Sequence, residues 1–389
     1  MPEPTPPPLL LFTAFEPSGD ELAGPVIRAL LARRPELRIA GWGGPKMRAA
    51  GAEIIEETTH DAAMGVPGLA KIAEHFALNK RIGAWLREHR PTLHVAVDSP
   101  AANFPICKMS KGIGVRVVHL AAPQVWAWAR HRVHKLRRRT DLVLCLLPFE
   151  EEWFRRRDVP AKFIGHPLFD DANHAAPGTD VSSLPPGSPK VLLLPGSRAK
   201  EWRLNFPPML ATFRAVAERW PEGVGVVVAS SERAERALRE IAEEHGGWPQ
   251  GLSLVMRDVS GAARWCDAAM AVSGTVSLHL ARGATPMVLS YRLPSWQHAL
   301  VGKWVVRSDF ATLPNLIAGK QIVPEFVPYA GDGREPRDAC LSLLASESAR
   351  EDQRRGLREA CAPFRDRHAA PDAADAILQM LTFPRRAQA

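Results

Sequence analysis

Short apolar runs alternate with longer amphipathic segments along most of the chain. A strand covered on both faces is apolar throughout, whereas its crossover helix is apolar on one side only. The alternation therefore predicts strand–helix–strand units and parallel sheets. In the first half, Leu9–Ala14, Leu37–Ala40, Leu93–Val97, Val115–Leu120, Leu142–Leu146 and Lys162–Ile164 read as strands. Glu21–Arg33, Leu69–Arg87 and Arg130–Arg138 read as helices, the first opened by Ser18-Gly19-Asp20, residue types that start helices well. The pattern lapses over 171–190, DANHAAPGTDVSSLPPGSPK, whose Pro, Gly and Ser content reads as a linker. It restarts with strands Val191–Leu194, Val224–Ala229, Leu252–Met256, Ala268–Val272 and Met287–Leu289, and with helices Glu201–Arg219, Arg233–Glu244 and Val276–Arg282. The expected organisation is an α/β chain of two Rossmann-like parallel-sheet domains, 9–170 and 191–335. A Pro-rich disordered segment, 1–8, precedes them, and C-terminal helices, 336–389, follow. Two such domains are expected to face a cleft at the carboxyl ends of their strands, where this architecture binds ligands.

The length of 389 residues suits two cores rather than one. A formal charge of +8 suits partners that carry phosphate, nucleotides and anionic membrane surfaces among them. Five scattered cysteines form no CxxC pair, which argues against a disulfide framework or a zinc site and for a reducing compartment. Cys107 and Cys145 sit in apolar stretches and read as core residues. The N-terminus lacks the basic region of a signal peptide, and no segment offers the roughly 20 apolar residues that a spanning helix needs. Cytoplasmic location with peripheral membrane contact is the expectation.

Two turns in the second half carry the chemistry of phosphate binding. In LLLPGSRAKE a strand runs through Gly196, Ser197 and Arg198 into a helix. Glycine lets a ligand approach the backbone, a helix start offers unpaired N–H groups, and arginine offers a fixed fork to phosphate oxygens. Ser273, Gly274 and Thr275 form a similar strand-to-helix turn. Each alone is equally an ordinary capped turn; together they favour a nucleotide-diphosphate site. In the first half, Glu16, Ser18, Gly19 and Asp20 follow the first strand, and Gly43 and Gly44 follow the second. They suit either tight turns or a surface that admits an acceptor. Asp98 ends an apolar strand, where a carboxylate is costly unless paired or used; it is a general-base candidate or a turn former. Asn103 reads as a group orienting a substrate hydroxyl or as part of a helix start. Trp126 and Trp128 precede Arg130, Arg132, Lys135, Arg137, Arg138 and Arg139, and Arg155-Arg156-Arg157 follows. That mixture suits a membrane surface or a solvated basic helix. No nucleic-acid-binding motif accompanies it, and no nucleic-acid partner is expected. Neither phosphate turn reads GxGxxG, which argues against a dinucleotide cofactor.

Read in order, FEPSGDELAG, GWGGPKM, AVDSPAAN, APQVWAWARHRVHKLRRRTDLVLCLLPFE, FIGHPLFD, LLLPGSRAKE, AVSGTVSLHLARGATPMVLSYR and SDFATLPNLIAGKQIVPEF resemble the blocks of lipid-A-disaccharide synthases. The resemblance runs from about residue 9 to 330. It implies a GT-B fold and an inverting glycosyl transfer without a bound metal or other cofactor. The donor would be UDP-2,3-diacylglucosamine and the acceptor 2,3-diacylglucosamine 1-phosphate (lipid X). The products would be a β-1,6-linked disaccharide and UDP. It also implies that Asp98 matches the family's essential aspartate, and that the Trp- and Arg-rich segment meets the cytoplasmic face of the inner membrane. The sequence departs from the family at Phe15 and Pro17, at Ala101 in place of a second aspartate, and at His279 in place of a ribose-binding glutamate. A different UDP-sugar transferase, an epimerase of the same class, and a silent lipid-sugar-binding paralogue are the competing readings. Met64–Phe76 reads as an acyl-binding groove or an ordinary core-facing helix.

Overall fold

Leu9–Ala14 shows no alternation because both its faces are covered. As β1 of the computed structural model it runs between β2 (Arg38–Gly43) and β4 (Leu93–Val97), parallel to both. Leu10, Phe12 and Ala14 enter one core layer, while Leu11 enters the layer on the opposite face with Trp42, Ile82 and Ile106. The structure describes residues 7–59, 69–128, 130–170, 183–293 and 310–382. The first six residues of the Pro-rich terminus and residues 171–182 of the expected linker lie outside these.

The chain divides into two units, Met1–Asp170 with Asp366–Ala389, and Asp171–Arg365. In the first, β3 (Glu53–Glu57), β5 (Arg116–Leu120), β6 (Leu142–Cys145) and β7 (Ala161–Phe163) complete a seven-stranded sheet of order β3-β2-β1-β4-β5-β6-β7, parallel throughout. Its helices include α1 (Pro17–Arg33), α2 (Pro45–Ala49), α3 (Leu69–His89), α4 (Pro100–Gly112), α5 (Val125–Trp128), α6 (Val133–Arg139) and α7 (Pro148–Arg155). In the second unit, β8 (Lys190–Leu194), β9 (Val224–Ala229), β10 (Leu252–Met256), β11 (Ala268–Ala271), β12 (Met287–Arg292) and β13 (Glu325–Tyr329) form a parallel sheet of order β10-β9-β8-β11-β12-β13. Its first helices are α8 (Ala199–Arg219), α9 (Glu232–Glu244), α10 (Val259–Trp265) and α11 (Val276–Arg282). Both sheets thus have the doubly wound order, in which the first and fourth strands lie side by side and their connections depart in opposite directions.

The terminal helices, read from the sequence as one segment over 336–389, are shared between the units. Arg334–Ala345 and Glu347–Cys361 pack on the second, where Gln353 accepts a hydrogen bond from the Met287 amide at 2.9 Å. The last helix, Ala369–Thr382, instead returns to the first unit. Its stripe of Ala369, Ala373, Ala376, Ile377 and Met380 follows helical spacing, and Ala373, Ala376 and Ile377 join the core that contains Val26 and Leu30 of α1. Asp170 accepts the Ala369 amide at 2.9 Å, and Arg33 pairs with Asp375 at 2.8 Å. Helical periodicity shows that a helix has an apolar side but not which core will receive it. All five cysteines are free; Cys107 and Cys145 are buried, and burial pushes the Cys107 thiol up to about 12.

Candidate active site

In the first unit the chemistry gathers where β1 and β4 end side by side. Beyond β1 the chain turns through Glu16 into α1, which starts at Pro17, a residue suited to a first helical position because it has no N–H to satisfy. Gly19 lets α1 pass close to β4: a Cβ there would lie 3.3 Å from Ala14 Cβ and 3.6 Å from Val97 O. Beyond β4, Asp98 and Ser99 both take left-handed backbone conformations, with φ of 50° and 30°. The two turns are then laced by crossed hydrogen bonds. Ser18 Oγ donates to Asp98 Oδ2 at 3.1 Å, and Ser99 Oγ donates to Glu16 Oε1 at 3.0 Å. Asp98 is half-buried while Glu16 and Ser18 are exposed, so both carboxylates remain open to a ligand.

Other residues assigned to the acceptor surface serve elsewhere. Asp20 is only 3% exposed; its oxygens accept the amides of Gly44 and Met47, both at 3.0 Å, and of Lys46 at 2.9 Å. It thereby ties the start of α2 to α1 and has no face for substrate, which corrects its assignment. Gly43 and Gly44 are buried in the same joint. A Cβ on Gly43 would lie 2.2 Å from Met47 Sδ, and one on Gly44 2.6 Å from Asp20 Oδ2. Packing against these neighbours, rather than access for a ligand, demands glycine here. Asn103 is wholly buried, and its amide is consumed by Val97 O, Asp98 O and the Thr13 hydroxyl. It cannot also hold a substrate hydroxyl.

In the second unit the corresponding point lies between β8 and β11. Gly196 has φ of 105°, and a Cβ on it would meet Glu201 Oε2 at 2.4 Å. The reason is that Glu201, third residue of α8, folds back over the turn. Its Oε2 accepts the Ser197 amide at 2.8 Å and the Arg198 amide at 3.1 Å, while Oε1 takes Arg198 Nη1 at 3.0 Å. Two amides of the turn, those of Ser197 and Arg198, are therefore already satisfied by a capping box. What projects is the Arg198 side chain, 60% exposed and with donors to spare. Beyond β11, Ser273 is half-buried, Gly274 and Thr275 are exposed, and Thr275 precedes α11 without capping it through its side chain. His279 lies one turn further along that helix; burial, with Arg282 nearby, lowers its pKa from the usual value and keeps the ring neutral at pH 7.

The family model of the lipid-A-disaccharide synthetases matches residues 10–372. The lipid-A-disaccharide synthase of Salmonella paratyphi A is 32% identical over 386 residues, covering 95% of this chain and 97% of the relative. The chain belongs to the lipid-A-disaccharide synthetase family. Among solved structures, the glycotransferase of kitacinnamycin matches with a TM-score of 0.63 at 18% identity, covering 97% of this chain and 100% of that one. A UDP-GlcNAc 2-epimerase from Neisseria meningitidis, bound to UDP-GlcNAc, gives 0.57 at 10% identity, covering 96% and 98%. At such identities these likenesses show the fold, which is of GT-B type.

Several blocks that carry the family resemblance prove to be joints of the fold. The VWAW and PFE blocks meet where Trp126 Nε1 donates to Glu150 Oε1 at 2.9 Å; Glu150 also accepts the Leu147 amide, and burial raises its pKa to about 7. The glycine of FIGH, Gly165, has φ of 83°, and a Cβ there would lie 2.6 Å from Arg367 Cβ where the chain enters the last helix. In LPNLIAG, buried Asn315 donates to Val323 O and Glu325 Oε2 and accepts the Ile322 and Val323 amides, pinning the helix Leu313–Ala318 to β13. Ala101 falls in the first turn of α4, and His279 on α11.

The Trp- and Arg-rich segment is less cationic than its sequence. Trp126, assigned to a membrane surface, is a core residue, 6% exposed and edge-on to Phe149; the indole N–H has its partner inside the protein, so the assignment is corrected. The Trp128 side chain lies outside the described residues. Arg139 turns inward, donating to Phe104 O at 3.2 Å. Arg155 and Arg156 pair with Glu151 and Glu152, each at 2.7 Å, and Arg157 stacks 3.9 Å from the Trp153 ring. Arg130, Lys135, Arg137 and Arg138 stay exposed, while Arg132 is half-buried. Lys135 and Arg138 make no ion pair among the described residues. Of the suggested acyl groove, residues 64–68 and the side chains of 69–73 lie outside those described; Phe76 is 70% exposed. No helix of the described residues is long and apolar enough to cross a membrane.

Proposed function

We propose that the protein is the glycosyltransferase its family name states, joining UDP-2,3-diacylglucosamine to lipid X to give the β-1,6-linked disaccharide 1-phosphate and UDP. The observation that carries this reading is Asp98, a carboxylate held open at the junction of β1 and β4. In this scheme Asp98 takes the proton of the acceptor 6-hydroxyl as its oxygen attacks the anomeric carbon of the donor. The bond from that carbon to the UDP oxygen breaks, and its electron pair leaves with the diphosphate. Arg198 and the Ser273–Thr275 turn stabilise the charge that grows there. Glu16 and Ser18 line the acceptor side. The test is UDP release from UDP-2,3-diacylglucosamine with and without lipid X. Release that is indifferent to lipid X, or that proceeds equally with UDP-N-acetylglucosamine, would replace this reading by another UDP-sugar activity.

At the ribose, a neutral imidazole accepts one hydrogen bond where the family's glutamate accepts two stronger ones. His279→Glu is accordingly expected to tighten UDP binding by about 10- to 100-fold, equivalent to about 1.5–3 kcal/mol. Calorimetric titration with UDP checks this, and equal dissociation constants would show that His279 does not face the ribose.

Peripheral membrane contact is supported by exposed Arg130, Lys135, Arg137 and Arg138. With roughly 1 kcal/mol per cation at an anionic surface, the double variant Lys135→Glu/Arg138→Glu should bind phosphatidylglycerol vesicles at least about tenfold more weakly. Unchanged co-sedimentation would remove this segment from the contact.

A further inference from the structure

Asp98 and Ser99 hold consecutive left-handed conformations, which are uncommon for any residue other than glycine. Backbone bonds hold this turn, the Asp98 amide donating to Leu120 O at 2.9 Å and the Asn103 amide to Ser99 O at 3.1 Å. The buried side chain that joins them is Asn103, whose Nδ2 donates to Val97 O at 2.9 Å and to Asp98 O at 3.0 Å. Two carbonyl oxygens can only accept, so the orientation of this amide is settled and Asn103 Oδ1 faces the other way. There it receives the Thr13 hydroxyl at 2.6 Å. That uses Thr13's only proton, so the 2.8 Å contact between Thr13 Oγ1 and His94 Nε2 has the imidazole as donor. His94 Nδ1, left without a proton, accepts Ser110 Oγ at 3.0 Å. All four side chains are fully buried. The protons therefore run one way, from Ser110 through His94 and Thr13 to Asn103 and the carbonyls of Val97 and Asp98, which flank the Asp98 Cα. Burial lowers the His94 pKa to about 3, in keeping with the neutral ring that this order requires.

We infer that Asn103, set by Thr13, His94 and Ser110, is a positioning residue that aims the Asp98 carboxylate at the acceptor hydroxyl. The inference rests on the reading of Asp98 as the base. The four buried groups of the relay end on the two carbonyls that flank the Asp98 Cα, so the backbone that carries this carboxylate is held from both sides. Losing the relay lets the turn relax without removing any group that meets a substrate.

Thr13 allows relay and packing to be separated. Thr13→Val keeps the shape and breaks the relay; Thr13→Ser keeps the hydroxyl and leaves a methyl-sized gap. Because misplacing a reacting group by about 1 Å can cost on the order of 100-fold, kcat for acceptor-dependent UDP release should fall at least tenfold in Thr13→Val, with KM for the UDP-sugar and the Kd for UDP unchanged. Thr13→Ser should stay within about twofold of the parent, although packing alone would make it the worse variant. Should Thr13→Val not fold, Asn103→Asp, of the same outline but without the two donors, reads the same split. Parental kcat in Thr13→Val, or an equal loss in Thr13→Ser, overturns the inference. Asp98→Asn, measured alongside, separates the two readings: an active Asp98→Asn enzyme removes the base itself, whereas an inactive one beside an unimpaired Thr13→Val removes only the relay.

Discussion

Asp98→Ala is expected to lower acceptor-dependent UDP release by about 10²- to 10⁴-fold, the range that a positioned general base contributes, while the affinity for UDP stays unchanged. The reason lies in where the carboxylate stands. It belongs to the first unit, at the end of β4, whereas Arg198 and the Ser273–Thr275 turn belong to the second. In the proposed scheme its removal touches proton transfer from the acceptor and leaves the groups assigned to the nucleotide intact. The nearby Glu16 is the alternative base, tied to the same turn through Ser99 Oγ. Activity lost in Glu16→Gln but kept in Asp98→Ala would transfer the role to it. Activity kept in both would end the carboxylate-base scheme.

The second large effect is expected at Arg198. A donor aimed at a leaving group whose charge grows in the transition state is worth about 10²–10³ in kcat when removed. Arg198→Ala should therefore lose that much in kcat, with a smaller change in the Michaelis constant for the donor. Arg198→Lys should recover little. One arm of the guanidinium is held by Glu201 at 3.0 Å and the rest of the fork points outward, a division that a single ammonium cannot reproduce. A raised Michaelis constant with parental kcat would show instead that Arg198 grips the donor equally in ground and transition states.

How far the sequence could be read differs element by element. β1, β4 and β9 end where their apolar runs end, since buried parallel strands leave a plain signal. β3, EIIEE, and β13, EFVPY, escaped that reading because they are edge strands, where charge and proline are tolerated. α4 escaped it too, being opened by Pro100 and interrupted by Pro105. The site divides in the same way. Asp98 stands out in the sequence because a carboxylate that ends an apolar strand is costly unless paired or used, and Glu16, Ser18 and Arg198 because they lie in turns between a strand and a helix. Asp20, Gly43, Gly44 and Trp126 drew the same suspicion, but a carboxylate capping a distant helix, or an indole bonded to Glu150, looks identical in one dimension. Thr13, His94 and Ser110 gave no signal, since nothing local in the chain shows that their hydrogen bonds converge on Asn103.

By itself the sequence determined the fold class, the two α/β units, the family and the main chemical groups of each unit, because these follow from periodicity and from residue types in fixed local order. Only the tertiary structure decided the rest. It set the order of the strands, which puts β1 beside β4 and β8 beside β11. It returned the last helix to the first unit, and it sorted the polar residues into those left accessible at the strand ends and those spent on the fold. The physical reason is that a hydrogen bond's worth depends on the partner it finds and on whether water is excluded. Both are set by residues far away in the chain, as the Thr13 hydroxyl finds its partners in His94 and Asn103, 81 and 90 positions away.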